Sequence, residues 1–234
     1  MPRLIAFDRP WQVVGLIGLV VVLRVIIPRL PWIGRLRAPL LEFDDSLLIA
    51  LLVVFCVLRP FVVQAFYIPS ASMLPTLHEK DRILVLKGWY RLTDPKPGDI
   101  VVFRAPKAAY YSNPAENHDL NEQKDFIKRL VGCPGDRLRV RDYALVRNGK
   151  PVQEPYLDAP PVYSWPLDPG NDVLVPPNQF VVMGDNRNNS NDSHRWTLPT
   201  LGGSQVHAPF VPRDALLGKA WVVFWPMNRA RILR

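Results

Sequence analysis

Two apolar runs open the chain, and a pattern of short alternating segments follows. Residues 11–27 are apolar apart from Gln12 and Arg24, which is just long enough to cross a hydrocarbon layer about 30 Å thick. Residues 46–66 form a second run, broken only by Arg59, Pro60 and Gln64. The stretch between them, 28–45, carries Arg29, Arg35 and Arg37. This pattern predicts two transmembrane helices, about 11–27 and 46–66, joined by a basic loop. Cytoplasmic loops collect arginine and lysine, so the loop is expected inside, with everything after residue 66 outside. A removable leader is the competing reading of 11–27. Against it, no small-residue cleavage site follows, and Pro28-Arg29 comes directly after. In a further alternative 11–27 lies on the membrane surface and only 46–66 spans, which leaves the rest of the chain outside as well.

After residue 66 the apolar period shortens towards two. Residues 83–86, 99–103, 137–140, 179–183 and 220–225 are short, rich in β-branched or aromatic residues, and in most cases bounded by Gly, Pro or Asp, which marks strands. Asn148-Gly149 between Val146 and Pro151-Val152 is a tight-hairpin signal. Residues 104–124 read as an exposed loop and the proline-rich residues 153–178 as irregular. The organisation expected is therefore a membrane anchor over 1–66 and a mostly β domain over 67–234, with a small irregular insertion near 141–178.

Composition narrows the class. The 25 prolines suit short strands and loops rather than long helices. A net charge of +8 is compatible with nucleic acid or anionic lipid. The cations are dispersed with no basic run, so a lipid bilayer is the expected partner and no nucleic acid is. Cys56 lies in an apolar run and Cys133 in a polar motif, which argues against a disulfide between them. The cysteines and the four histidines show no metal-ligand spacing, and no phosphate-cradling glycine loop is present. No cofactor is expected.

Three segments carry candidate chemistry. Ser70 and Ser72 stand in Tyr67-Ile-Pro-Ser-Ala-Ser-Met-Leu-Pro-Thr-Leu77, directly after the second apolar run. A serine hydroxyl needs a base to take its proton during attack. Lys128, between Phe126-Ile127 and Leu130-Val131, supplies one if burial disfavours its charged form, because a free lysine titrates near 10.4. In a strand, Phe126, Lys128 and Leu130 share one face. Residues 184–194, Gly-Asp-Asn-Arg-Asn-Asn-Ser-Asn-Asp-Ser-His, form a dense polar turn after a strand. Each segment has an ordinary alternative: turn-forming serines beside Pro69 and Pro75, a lysine paired with Asp125, and a surface loop of Asx turns.

Together, Ser70–Leu77, Gly98–Phe103, Lys128–Asp136 and Gly184–His194 resemble the four ordered sequence boxes of bacterial type I signal peptidases. The resemblance covers nearly the whole chain, through Gly218-Lys219-Ala220. It implies a catalytic domain of antiparallel sheets, a Ser–Lys dyad protease, and signal peptides of secretory preproteins as substrates. It also implies a place in the bacterial cytoplasmic membrane with the catalytic domain on the extracytoplasmic side. Carried over by position, it makes Ser72 the nucleophile and Lys128 the general base. The oxyanion hole would be the Ser70 hydroxyl and the Ser72 backbone N–H. Ser190 would orient the lysine and Asp192 would support the site. Many members place an arginine two residues after that acid. Here the position is His194, with Arg195 adjacent, and either is a candidate partner for Asp192. Signal peptides end in small residues in an Ala-x-Ala pattern. Strand addition beside Phe66, Ile68 and Pro69 on one side and Phe126 and Ile127 on the other would bind such a segment. Ile68, Met73, Leu77 and Ile127 either wall its pockets or fill the core. A self-cleaving Ser–Lys regulator and a non-catalytic peptide-binding module are the other classes weighed. An anchor in place of a DNA-binding front end argues against the first, and a filled set of site positions against the second.

Overall fold

The computed structural model of the protein describes residues 10–54, 63–112, 124–166, 171–200 and 202–233. The chain divides into two compact units, Met1–Val63 and Gln64–Arg234.

In the first unit, helix α1 spans Pro10–Ile26. Short 3-10 turns at Ile27–Arg29 and Pro31–Leu36 lead into α2, Arg37–Leu52. The loop expected over 28–45 is thus largely helical. Pro39 falls in the first turn of α2, where its missing N–H costs nothing, and the Leu-, Phe- and Ala-containing stretch after it favours helix. Glu42, Asp44 and Asp45 are therefore helical residues, and Asp45 meets Arg24 at 3.0 Å. The span expected over 46–66 is not one helix either, because Val63–Tyr67 is a strand. Periodicity alone does not separate a short apolar strand from buried helix. Residues 55–62, with Cys56, Arg59 and Pro60, lie outside the described residues. Among the described residues no helix is both long and apolar enough to cross a membrane.

The second unit is mostly antiparallel β. Its strands are β1 (Val63–Tyr67), β2 (Arg82–Lys87), β3 (Ile100–Arg104), β4 (Asp125–Gly132), β5 (Arg137–Arg141), β6 (Ala144–Arg147), β7 (Lys150–Pro151) and β8 (Val173–Leu174). There follow β9 (Gln179–Met183), β10 (Thr197–Pro199), β11 (Gln205–His207), β12 (Phe210–Pro212), β13 (Leu216–Trp225) and β14 (Arg231–Ile232). The main sheet runs β1-β2-β13-β3-β4-β9-β12, with β14 added to β13. A smaller sheet, β7-β6-β5-β8, is built from residues 137–174, and β10 and β11 form a separate hairpin. Between β6 and β7, Asn148 and Gly149 both have positive φ, 54° and 77°. That is the turn an Asn-Gly pair closes without strain.

Alternation explains how one sheet serves two cores. On β3, Val101 and Phe103 enter a cluster with Leu130, Phe180, Val182 and Trp196. Ile100 and Val102 enter another with Ile68, Met73, Leu77, Ile83 and Val223. A third cluster joins the small sheet to β9 through Leu138, Val140, Leu145, Val181 and Met183. The segment 104–124 is not all loop: α4, Lys107–Tyr111, puts Ala108, Ala109 and Tyr110 into the first cluster. Another short helix, α3, is Trp89–Leu92. Neither exceeds five residues.

Candidate active site

Strand β4 carries the first half of the site. It pairs with β3 in the register Val101↔Lys128, which fixes Lys128 well inside the main sheet. Its side-chain nitrogen lies 5.5 Å from the centre of the Phe126 ring, two residues back on the same face, as alternation requires. The side chain is 5% exposed. Lys128 Nζ donates to Ser72 Oγ at 2.8 Å and to the Ile127 carbonyl at 3.1 Å.

The second half is the turn after β1. Ile68 closes the strand's end through Ile68 N–H to Asp81 O and Lys80 N–H to Ile68 O, each 2.9 Å. Ser70 then sits in extended backbone, and Ala71–Met73 make one 3-10 turn. Within that turn Met73 is buried in the core and Ser72 is 9% exposed. The Ser70 hydroxyl donates to Ser72 Oγ at 3.3 Å.

The polar turn after β9 clamps both halves. Asn186 N–H donates to Ser72 O at 3.1 Å, and Asn186 Nδ2 to Ala71 O at 3.2 Å. Gly184 has no side chain because none fits: a Cβ there would stand 2.3 Å from Ser190 Oγ and 2.4 Å from Ser72 O. Ser190, 2% exposed, has its hydroxyl buried with no hydrogen bond of regular geometry. Asp185 takes a bidentate pair from Arg129, Nε at 2.8 Å and Nη2 at 2.7 Å, and accepts from the Thr76 hydroxyl at 2.5 Å. Arg129 also donates to Gly98 O at 2.8 Å and stacks 3.8 Å over the Tyr156 ring. Arg187 donates to Gly184 O at 3.1 Å and to both oxygens of Glu154, at 2.7 and 2.5 Å. That contact ties the turn to the proline-rich insertion.

Asp192 is enclosed. Its carboxylate accepts Gly184 N–H at 2.8 Å, and its other oxygen lies 2.6 Å from His194 Nδ1. Burial pushes this carboxyl up, yet the hydrogen bond from His194, the Gly184 N–H and the nearby Ser190 hydroxyl together hold it below the ordinary value. Arg195 reaches past Asp192, donating through Nε to His194 Nε2 at 3.2 Å and through Nη2 to Asn188 O at 3.3 Å. Of the two partners left open by the sequence, His194 therefore makes the direct contact.

A groove of about 560 Å³ opens over Ser72 and Lys128. Pro69, Ser70, Phe126, Ile127, Ser190 and Arg195 are among its walls. Ile68, Met73 and Leu77 do not line it. They are core residues in this structure, at most 2% exposed, and Phe66 packs partly buried against the same cluster. The apolar side chains on that stretch close the sheet's interior first, so the apolar part of the groove wall is left to Pro69, Ala71, Phe126 and Ile127 among polar neighbours. Sequence reasoning did not single out Thr76, Arg129, Asp185, Arg187, Glu154 or Tyr163. The first four lie in or beside segments already marked. Glu154 and Tyr163 sit in the proline-rich stretch, where nothing in the spacing signals a contact more than thirty residues away.

A buried lysine amine on a serine hydroxyl at the wall of an open groove is an arrangement compatible with a hydroxyl nucleophile and its base. Known proteins give the particular family. Residues 40–225 match the family described as signal peptidase, peptidase S26. A probable signal peptidase I-2 of Synechocystis is 42% identical over 193 residues, 82% of this chain and 77% of the relative. Signal peptidase I of Leptolyngbya laminosa is 43% identical over 172 residues, 74% and 73% of the two chains. Signal peptidase I of Mycobacterium tuberculosis is 35% identical over 227 residues, 85% and 76%. This chain belongs to the signal peptidase S26 family, and it is a protease.

Proposed function

We propose that the protein removes N-terminal signal peptides from exported preproteins after an Ala-x-Ala-like site, through an acyl-enzyme formed by Ser72 and Lys128. The observation that carries this reading is the 2.8 Å contact between the two groups, both buried, at the wall of a groove. An uncharged Lys128 takes the Ser72 proton as Oγ attacks the scissile carbonyl carbon. The oxyanion then accepts the Ser72 N–H and the Ser70 hydroxyl, which turns from Ser72 Oγ. As the C–N bond breaks, Lys128 returns the proton to the leaving amine. Water, deprotonated by the same amine, releases the signal peptide from Ser72. Ser190 packs against the Gly184 backbone and Asp192 holds that backbone in place. The substrate adds as a strand beside Pro69 and the Phe126-Ile127 edge.

The first unit serves as an anchor on the lipid bilayer. In support, Leu19, Val22, Val25, Phe43 and Ile49 are exposed along α1 and α2, an arrangement that lipid covers at no cost. On this reading the catalytic domain stands on the extracytoplasmic side of the bacterial cytoplasmic membrane. The test is incubation of the purified full chain with a preprotein, sequencing of the new N-terminus, and mass spectrometry for an acyl adduct on Ser72. Ser72→Ala and Lys128→Ala should each abolish cleavage while the domain stays folded. Normal processing by either variant refutes the assignment.

A further inference from the structure

His194 is placed so that its proton matters to the nucleophile three contacts away. Arg195 Nε carries only a hydrogen, so the His194 Nε2 it meets at 3.2 Å must accept. The hydrogen of a neutral ring then lies on Nδ1, facing the Asp192 oxygen at 2.6 Å. Asp192 in turn holds Gly184 N–H, and Gly184 abuts the Ser72 carbonyl. Above the ring, Tyr163 stacks at 4.0 Å and 9°. Its hydroxyl is buried without a hydrogen-bond partner, so the contact is the ring itself.

We propose that His194, capped by Tyr163, positions the dyad through Asp192, and that the neutral Nδ1–H imidazole is the form that does so. A protonated ring presents a hydrogen on Nε2 to a guanidinium hydrogen. Arg195, whose side chain is exposed, then leaves both His194 and Asn188. The turn that carries Asn189 and Ser190 on the groove wall loses that tether. The charged and titratable groups around the ring are Asp192 and Arg195 beside it and Tyr163 over it. His207 has its Nε2 3.1 Å from the His194 carbonyl, and the charges of Arg187 and Glu154 act on Tyr163. Trp165 Nε1 lies 3.1 Å from that same His207 nitrogen, so two neighbours share it.

The inference rests on the peptidase reading, and its experiment separates the two. Nitrogen-15 NMR of the imidazoles in the full chain reads the tautomer without substrate. A neutral His194 protonated on Nε2 overturns the proposal, whatever the enzyme does. With preprotein as substrate, kcat/KM should fall more steeply on acidification in the wild type than in His194→Asn. Asparagine keeps a donor for Asp192 but never becomes charged. Superimposable profiles overturn the proposal, and so does a folded His194→Asn that is inactive at every pH. Tyr163→Ala should lower kcat on the order of 10²-fold at constant KM, and Tyr163→Phe should restore most of that loss. Failure of phenylalanine to rescue also counts against it. If the wild type cleaves no preprotein while the tautomer is as expected, only the peptidase reading falls.

Discussion

Lys128 and Arg129 are neighbours on one strand, both cationic residue types and both buried, yet their surroundings differ in kind. They leave β4 on opposite sides. Arg129 meets a carboxylate through two parallel hydrogen bonds, a backbone carbonyl and a tyrosine face. Lys128 meets a serine hydroxyl, a carbonyl and the Phe126 ring. A guanidinium stays charged in any protein and its planar fork matches a carboxylate. An ammonium is a compact group whose proton burial can remove. The strand thus turns a guanidinium toward a carboxylate on one side and a lysine amine toward the groove on the other. The two residue types are not interchangeable here.

Replacing each by methionine, which keeps most of the volume, should break the comparison most sharply. On the proposed mechanism Lys128→Met should lower kcat/KM by about 10⁴-fold or more, because a nucleophile and its base act as a unit. It should leave unfolding unchanged or slightly delayed, since a costly buried amine is gone. Arg129→Met should do the reverse. It strands Asp185 with Thr76 as a remaining partner, and breaking a buried pair this way costs about 3–5 kcal/mol. Denaturant unfolding of both variants beside wild type tests this. Equal stability losses would mean that the two cations play similar structural parts.

How much of this was legible in the sequence depends on the range of the signal. Strands with an alternating or β-branched pattern were readable. Residues 179–183 are β9 to the residue, and 83–86, 99–103 and 137–140 each match a strand within a residue or two. The Asn148-Gly149 hairpin was readable because the turn demands positive φ that those residues tolerate. Helix α4 was not, since five residues among polar neighbours carry no period. The juxtaposition of Ser72 with Lys128 spans 56 positions, and only the ordered boxes and their resemblance to a family suggested it. The assignment of Met73 and Leu77 to core rather than groove was undecidable in one dimension, because both demand an apolar side chain. Glu154 and Tyr163 were invisible for the opposite reason. Their role comes entirely from where the insertion folds back.

Ser70 sharpens the contrast between groove and scaffold. Its hydroxyl touches Ser72 Oγ at 3.3 Å and supports nothing in the core. Ser70→Ala should therefore cost on the order of 10²–10³ in kcat with no measurable change in stability. Unaltered turnover would remove it from the oxyanion hole. Asp192 predicts a milder, pH-dependent difference. Its folded pKa is depressed, so its contribution to stability is present above the unfolded value, near 3.9. It is lost as pH falls through the lower folded value. Unfolding of Asp192→Asn followed from neutral pH downwards should show a deficit that shrinks across that acid window. A deficit independent of pH would mean that the carboxylate is not held ionised.

The smallest effect belongs to an ion pair that looks, by distance, as good as the buried one. Arg213 Nη2 lies 2.8 Å from Asp94, against 2.7 Å for Arg129 and Asp185. The side chains, however, are 39% and 85% exposed, compared with 3% and 0%. Water screens an exposed pair, and holding two mobile side chains together costs entropy, so such pairs contribute about 0–1 kcal/mol. A double-mutant cycle of Arg213→Ala and Asp94→Ala should return a coupling in that range that fades as salt rises. Any loss beyond the coupling in Arg213→Ala should trace to its hydrogen bond with Tyr90 O at 3.1 Å. Burial rather than separation then decides which of these cations the fold depends on. A coupling above about 2 kcal/mol at Arg213 would contradict that rule.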